Sequence, residues 1–307
     1  MNINIFRRQS LPWMLLALAA GILSTLGLTT ANRSPGAEKF QGTRPSLPHR
    51  RTRPTHRTVL PHAPTKKTVM GLPQPSAAHP LTILSVGDSL GEDLGDGLQD
   101  ILQSRSHIRL VLDSVGSTGL ANVAYYNWPT ALSRALAQVH PQLAVILIGG
   151  NDAVGFDQGG QPVFFGTPLW HKDYSRRVAM MMSEATRAKA RVIWVGLPIM
   201  AKHSVLSNRA MKALNAVYAA EAKTHPGVTF FPSWKLFQNA AGHFTARLKD
   251  PAGFTTIVRD PDGVHIAPPA GQELIASAVL GEIDRLEHWH VCPNPSDYWP
   301  EFTPKGC

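Results

Sequence analysis

Leu81-Thr-Ile-Leu-Ser-Val-Gly-Asp-Ser-Leu90 decides how this chain is read. Leu81–Val86 is an apolar, β-rich run that stops abruptly at Gly87-Asp88-Ser89-Leu90, with Gly91 next. Such a run reads as a strand buried on both faces of a parallel sheet, and in open α/β sheets ligands gather at the carboxyl ends of strands. Ser89 therefore stands where chemistry is done. Taken alone, the tetrapeptide is equally turn material, since Gly, Asp and Ser are common turn formers. The rest of the chain has to separate the two.

Downstream the pattern alternates. Strand-like runs fall at Leu81–Val86, Ile108–Val115, Leu143–Ile148, Arg191–Gly196 and Val228–Phe231, with helical patterns at about 94–104, 129–139, 172–189, 206–224 and 269–288. Pro129 after Trp128 suits a first helical turn, and Pro226-Gly227 ends the fourth helix. Five strands separated by helices predict an α/β fold: a three-layer α/β/α sandwich on a five-stranded parallel sheet, as one domain over 81–290. No internal repeat is visible.

Charge is unevenly placed. The formal net charge is +9, but 1–31 contribute +2 and 32–80, with nine Lys/Arg against Glu38, contribute +8. Residues 81–307 hold 19 Lys/Arg and 20 Asp/Glu, a net of −1, so the basicity belongs to a tail and nucleic acid is not an expected partner. Residues 1–31 form a targeting segment: Arg7 and Arg8 precede eighteen uncharged residues, Leu11 to Leu28. As a helix these span about 27 Å, close to a ~30 Å hydrocarbon core. They serve as a signal anchor, or as a signal peptide cleaved near Thr29-Thr30-Ala31. Either way the remainder is expected to be exported, in a bacterial periplasm tethered to the inner membrane or secreted. Residues 32–80, with nine Pro and few large apolar groups, are expected to be a disordered basic tether. The tail 291–307 carries Cys292 and Cys307, which in an exported protein can pair or remain two thiols.

Four loops carry chemistry: Gly87-Asp88-Ser89-Leu90, then Gly116-Ser117-Thr118-Gly119-Leu120, Gly149-Gly150-Asn151-Asp152, and Asp262-Gly263-Val264-His265. A serine hydroxyl becomes a nucleophile when a base takes its proton and a carboxylate orients the base. Asp262 and His265, three apart in one loop, can hydrogen-bond locally and leave the other ring nitrogen for Ser89. The resulting oxyanion needs fixed donors, for which the backbone N–H groups of Ser89 and Gly119 and the Asn151 amide are candidates. Asp88, Trp170 and Tyr174 are candidate pocket residues; turn capping and a helix entrance are the competing roles. Gly87-x-Ser89-x-Gly91 also fits the α/β-hydrolase elbow, but there the nucleophile follows a mid-sheet strand, and here it follows the first. No phosphate loop, dinucleotide fingerprint or metal cluster appears, so no cofactor is expected.

With these four blocks in this order, the sequence resembles the SGNH or GDSL-type serine hydrolases over about residues 81–285. The Tyr125-Tyr126-Asn127-Trp128-Pro129 and Trp194-Val-Gly-Leu-Pro198 stretches are similar to an exported bacterial branch of that family. The resemblance implies Ser89 as nucleophile, His265 as base, Asp262 as its orienting carboxylate, and Gly119 and Asn151 as oxyanion donors, with Gly116 an alternative to Gly119. It also implies an esterase acting on an O-acyl, for instance O-acetyl, group of an envelope or extracellular polysaccharide. The alternatives are an acyltransferase with the same triad, served by a membrane acyl-donor protein, and a non-catalytic glycan-binding module.

Overall fold

In the computed structural model, which describes residues 71–250 and 252–289, strands and helices alternate as the apolar runs require. β1 (Leu81–Gly87) leads directly into α1 (Ser89–Leu102), followed by β2 (Ile108–Ser114), α2 (Trp128–Val139) and β3 (Leu143–Leu147). A hairpin of β4 (Phe156–Gln158) and β5 (Gln161–Val163) precedes α3 (Pro168–Arg187) and β6 (Arg191–Val195). Then come α4 (Asn208–Thr224), β7 (Val228–Phe231), a 3-10 turn Ser233–Phe237, a second hairpin of β8 (Arg247–Lys249) and β9 (Thr255–Ile257), and α5 (Ala270–Glu287).

β1, β2, β3, β6 and β7 form one parallel sheet in the order β2-β1-β3-β6-β7. Burial explains the runs: every residue of β3 is buried, because helices cover both faces. α1 and α5 pack together on one face, while α2 touches α3 and α3 touches α4 on the other. This is the three-layer α/β/α architecture the alternation predicts.

Two helices begin earlier than their apolar periodicity suggests. α1 starts at Ser89, because the Asp88 carboxylate accepts from the Leu90 N–H and caps the helix immediately after β1. Gly91 and Glu92 in its first turn mask the helical period. α3 starts at Pro168, where Thr167 caps the Trp170 N–H and Pro occupies the first turn. The two hairpins, absent from the expected pattern, consist of three-residue strands. In the first, Gly159 and Gly160 both have positive φ (63° and 83°), the pair a tight two-residue turn demands.

Residues 71–80, assigned to the tether on composition, reach back to the domain. The Leu72 N–H donates to Glu287 Oε2 (2.6 Å), Trp289 Nε1 donates to Leu72 O (3.0 Å), and Glu287 pairs with Arg191 (3.0 Å). The chain thus joins the domain ahead of Leu81, at the amino-terminal side of the sheet. The segment 1–31 expected to direct export, residues 32–70 of the expected tether, and Cys292 and Cys307 lie outside the described residues. Among the described residues no helix is long and apolar enough to cross a membrane.

Candidate active site

β1 pairs with β2 on one edge and β3 on the other, so successive connections leave β1 in opposite directions. At such a switch point open α/β sheets leave a crevice, here at the carboxyl ends of β1 and β3. Ser89, the first residue of α1, and Asn151, just after β3, flank it. The approach is close: a Cβ at Gly91 would lie 2.6 Å from Leu147 O, and one at Gly87 would collide with the same carbonyl. Only glycines let α1 start against the end of β3 and hold Ser89 there.

The structure brings Ser89, His265 and Asp262 together from opposite ends of the domain. His265 Nε2 lies 3.0 Å from Ser89 Oγ, and His265 Nδ1 lies 2.6 Å from Asp262 Oδ2. With the proton on Nδ1, the imidazole donates to the carboxylate and accepts from the hydroxyl, the arrangement that lets a serine lose its proton on attack. Burial pulls the His265 pKa down, but the hydrogen bond and charge of Asp262 outweigh it and hold it above the ordinary histidine value. Burial raises the Asp262 carboxyl, but its bonds from Val264 N, from the imidazole and from His265 N together outweigh it and keep it below the usual range. The orienting group therefore stays an anion while the base titrates.

The loop carrying both residues is fastened by a buried cation the sequence did not announce. Arg259, 1% exposed, donates to Ile199 O and Val264 O (2.6 Å each) and to His265 O (3.2 Å). Its guanidinium lies against the rings of Phe237 and Phe244. Burial lowers its pKa to about 10, so it remains charged at neutral pH.

Opposite the triad, the second and third sequence blocks are knitted together. Asn151 Nδ2 donates to Thr118 O (2.9 Å), and its other amide proton has no partner among the described hydrogen bonds. Thr118 Oγ1 accepts from the buried Trp128 Nε1 (2.9 Å), which ties the Tyr125–Pro129 stretch to this loop. Asp152 accepts from Leu120 N (2.9 Å), Ala121 N (2.8 Å) and Tyr174 OH (2.6 Å), and a Cβ at Gly119 would collide with its carboxylate. Arg177 caps the same loop from outside, donating to Leu120 O (2.7 Å) and Ala121 O (2.6 Å). Ser89 N, at the first position of α1, has no intrahelical acceptor by geometry. Gly119 N also donates to no group among the described hydrogen bonds. The N–H groups of Ser89 and Gly119 and the Asn151 amide are thus the donors this crevice can offer a developing oxyanion. Gly116 has open space around it and none of the packing that fixes Gly119.

The pocket assignments of Asp88, Trp170 and Tyr174 are corrected. All three side chains are fully buried. Asp88 accepts from Gly149 N (2.8 Å) and Gly150 N (2.9 Å) as well as Leu90 N, joining the β1 exit to the β3 exit. Burial raises its pKa to about 6 against those bonds. Trp170 Nε1 donates to Val154 O (2.8 Å) and its ring stacks on Tyr174 at 4.5 Å, so the pair is core with satisfied polar tips. Asp152, Arg177, Arg259 and Tyr218, whose hydroxyl lies 2.8 Å from Tyr174 OH and donates to Ile148 O (3.1 Å), are the supporting residues sequence reasoning missed. Asp152 alone had a signal, its place beside Asn151. Among the described residues no group of three or more His, Cys, Asp or Glu is arranged to hold a metal ion.

Among solved structures, the chain is similar to a GDSL-like lipase from Bacteroides thetaiotaomicron (14% identity, 69% of this chain and 92% of that one, TM-score 0.49). It is also similar to an esterase from Pseudoalteromonas sp. (18%, 67% and 98%, TM-score 0.46) and to an acetylxylan esterase from Geobacillus stearothermophilus (18%, 66% and 94%, TM-score 0.45). No curated protein matches the chain in sequence. A family model described as "Protein of unknown function (DUF459)" matches residues 82–282, the strands, helices and loops that build the crevice. The chain belongs to this DUF459 family, whose model spans the strands and loops that carry Ser89, Asn151, Asp262 and His265.

Proposed function

We propose that the protein is a serine esterase. The observation that carries this reading is the unbroken relay from Ser89 Oγ to His265 Nε2 (3.0 Å) and from His265 Nδ1 to Asp262 Oδ2 (2.6 Å), at the carboxyl edge of the sheet. Ser89 Oγ attacks the ester carbonyl carbon while its proton passes to His265 Nε2, and the carbonyl oxygen takes up the negative charge. Ser89 N, Gly119 N and the Asn151 amide receive that charge as hydrogen-bond donors. The tetrahedral intermediate collapses when His265 returns the proton to the leaving alcohol, and an acyl-serine remains. Water then repeats the sequence, giving its proton to His265, and the acid departs as Ser89 regains its hydrogen. Asp262 stays an anion throughout and steadies the imidazolium.

The substrate class of this proposal is an O-acyl, in the simplest case O-acetyl, ester on an extracytoplasmic polysaccharide. What supports it is the uncharged stretch Leu11–Leu28 behind Arg7 and Arg8, which suits export with the domain across the membrane. Turnover of 4-nitrophenyl acetate, and covalent labelling by a serine-directed phosphonate located by mass spectrometry, test the chemistry. Label on Ser89 in the wild type and none in a folded Ser89→Ala variant is the expected result. A folded wild type that neither turns over nor labels removes the enzyme reading. Incubation with O-acetylated glycans tests the direction of transfer: free acetate supports hydrolysis, and acyl groups found on sugar acceptors with negligible acetate refute it.

A further inference from the structure

We propose that Asp93 is a positioning residue for the base, a second carboxylate that couples His265 to the helix carrying the nucleophile; this rests on the esterase reading above. Asp93 follows Ser89 by four residues on α1, one helical turn along the same face. Its Oδ2 accepts from the N–H of Ile266 (2.9 Å), the residue directly after His265. Asp262 cannot supply this restraint. It belongs to the same loop as His265, and its other oxygen accepts from Val264 N and His265 N, so it fixes the imidazole within the loop. Asp93 fixes the loop to α1. Nucleophile and base, 176 positions apart in sequence, are thereby referred to one turn of one helix.

The charge of Asp93 adds to its geometry. Burial pushes its carboxyl up to about 7, opposed by the bond from Ile266, the charge of His265 and the bond from Gln272, and reinforced by Asp260. The groups that act on it come from the loop before α5 (His265, Asp260 and the buried Arg259) and from α5 itself (Gln272). β1 and β3, which also meet α1, carry no ionisable residue, and Asp113 of β2 answers instead to Arg134. When His265 takes the Ser89 proton, the new cation favours the ionised form of Asp93. By the same linkage, ionised Asp93 favours the imidazolium. Asp93 touches no reacting atom; it adjusts the base that does.

Two variants of the full chain test this. Asp93→Asn keeps an acceptor for Ile266 N and removes the charge, while Asp93→Glu keeps the charge. In Asp93→Asn, the acid limb of kcat/KM for 4-nitrophenyl acetate should move to lower pH, and its plateau should fall roughly tenfold. Asp93→Glu should recover part of both. The titration of the His265 ring, followed by NMR and assigned among the 13 histidines with His265→Gln, should move to lower pH in Asp93→Asn alone. Because that readout needs no turnover, a wild type without esterase activity would sink the esterase reading and leave the His265 displacement to report the coupling. An unmoved His265 titration with kcat/KM within twofold of wild type overturns the proposal. So does an Asp93→Asn chain that fails to fold, since Asp93 would then serve the fold.

Discussion

Asp152→Asn is the sharpest perturbation of the oxyanion loop, because the change is nearly isosteric and its consequence can be counted. Asp152 Oδ1 accepts from Ala121 N, while Oδ2 accepts from Leu120 N and from Tyr174 OH. An asparagine has one acceptor oxygen and one NH2 group. If its oxygen replaces Oδ2, the NH2 faces Ala121 N; if it replaces Oδ1, the NH2 faces Leu120 N. Tyr174 OH can adapt, since Tyr218 OH lies 2.8 Å away and either hydroxyl can donate. The backbone N–H cannot. Each orientation therefore orphans one buried amide and sets two donors against each other, at a cost of about 1–3 kcal/mol for the unpaired group. Against this, burial raises the Asp152 pKa, so a neutral side chain recovers part of the desolvation penalty. The net loss should be about 2 kcal/mol, or roughly 4–8 °C in Tm for a domain of this size. Function should suffer more than stability suggests, because the displaced residues flank Gly119 N, and loss of a single oxyanion donor costs about 10²–10³ in kcat. Partial displacement should lower kcat about 10- to 100-fold with KM little changed. Thermal unfolding and steady-state kinetics below the transition check both numbers. A Tm within 2 °C of wild type together with kcat within about twofold would refute the reasoning, since the carboxylate would then not be what holds this loop.

Further consequences are open to measurement. Asn151→Ala should lower kcat by about 10²–10³ if its amide meets the oxyanion, and steady-state kinetics showing less than tenfold would reduce the residue to shaping the Thr118 loop. Because Asp262 holds the His265 pKa above the ordinary histidine value, kcat/KM should rise with pH through a limb above about 6.5. A limb at or below that value would show that Asp262 does not dominate the base in solution. Asp284, on α5 near the amino-terminal ends of β1 and β2, has its pKa raised by burial to about 7 against the charge of Arg105. Between the ordinary 3.8 and about 7 the folded protein keeps a proton that the unfolded chain has released, so this group makes stability fall as pH rises through that window. Asp284→Asn should therefore raise Tm at pH 8 and make little difference at pH 4. An equal effect at both would refute the assignment.

How much of this could be read from residue order follows from how far each interaction reaches. The five sheet strands were legible because strands buried on both faces write themselves as unbroken apolar runs. Ser89, Asn151, Asp262 and His265 were legible because each sits at a helix start or in a loop at the carboxyl edge of the sheet, where a small or polar residue has no packing reason to be. Arg259 was not. Its acceptors Ile199 O and Val264 O meet only after the loop before α5 has folded over the β6 exit, and an isolated arginine before Asp-Pro-Asp-Gly reads as surface. Asp93 shares that fate, since its partner Ile266 lies 173 positions away. Trp170 and Tyr174 were misread for the converse reason. A residue with an apolar body and a polar tip suits a pocket or a core equally, and what decides is whether the tip finds a partner inside. Val154 O and Asp152 supply those partners, and neither is visible as such in the sequence. The residues proposed to react could thus be named from local pattern, whereas the residues that hold them in register are long-range by construction. A positioning carboxylate must reach a second element, so the variants most informative about this site are at 93, which the sequence blocks pass over, and at 152, which they contain without showing what it holds.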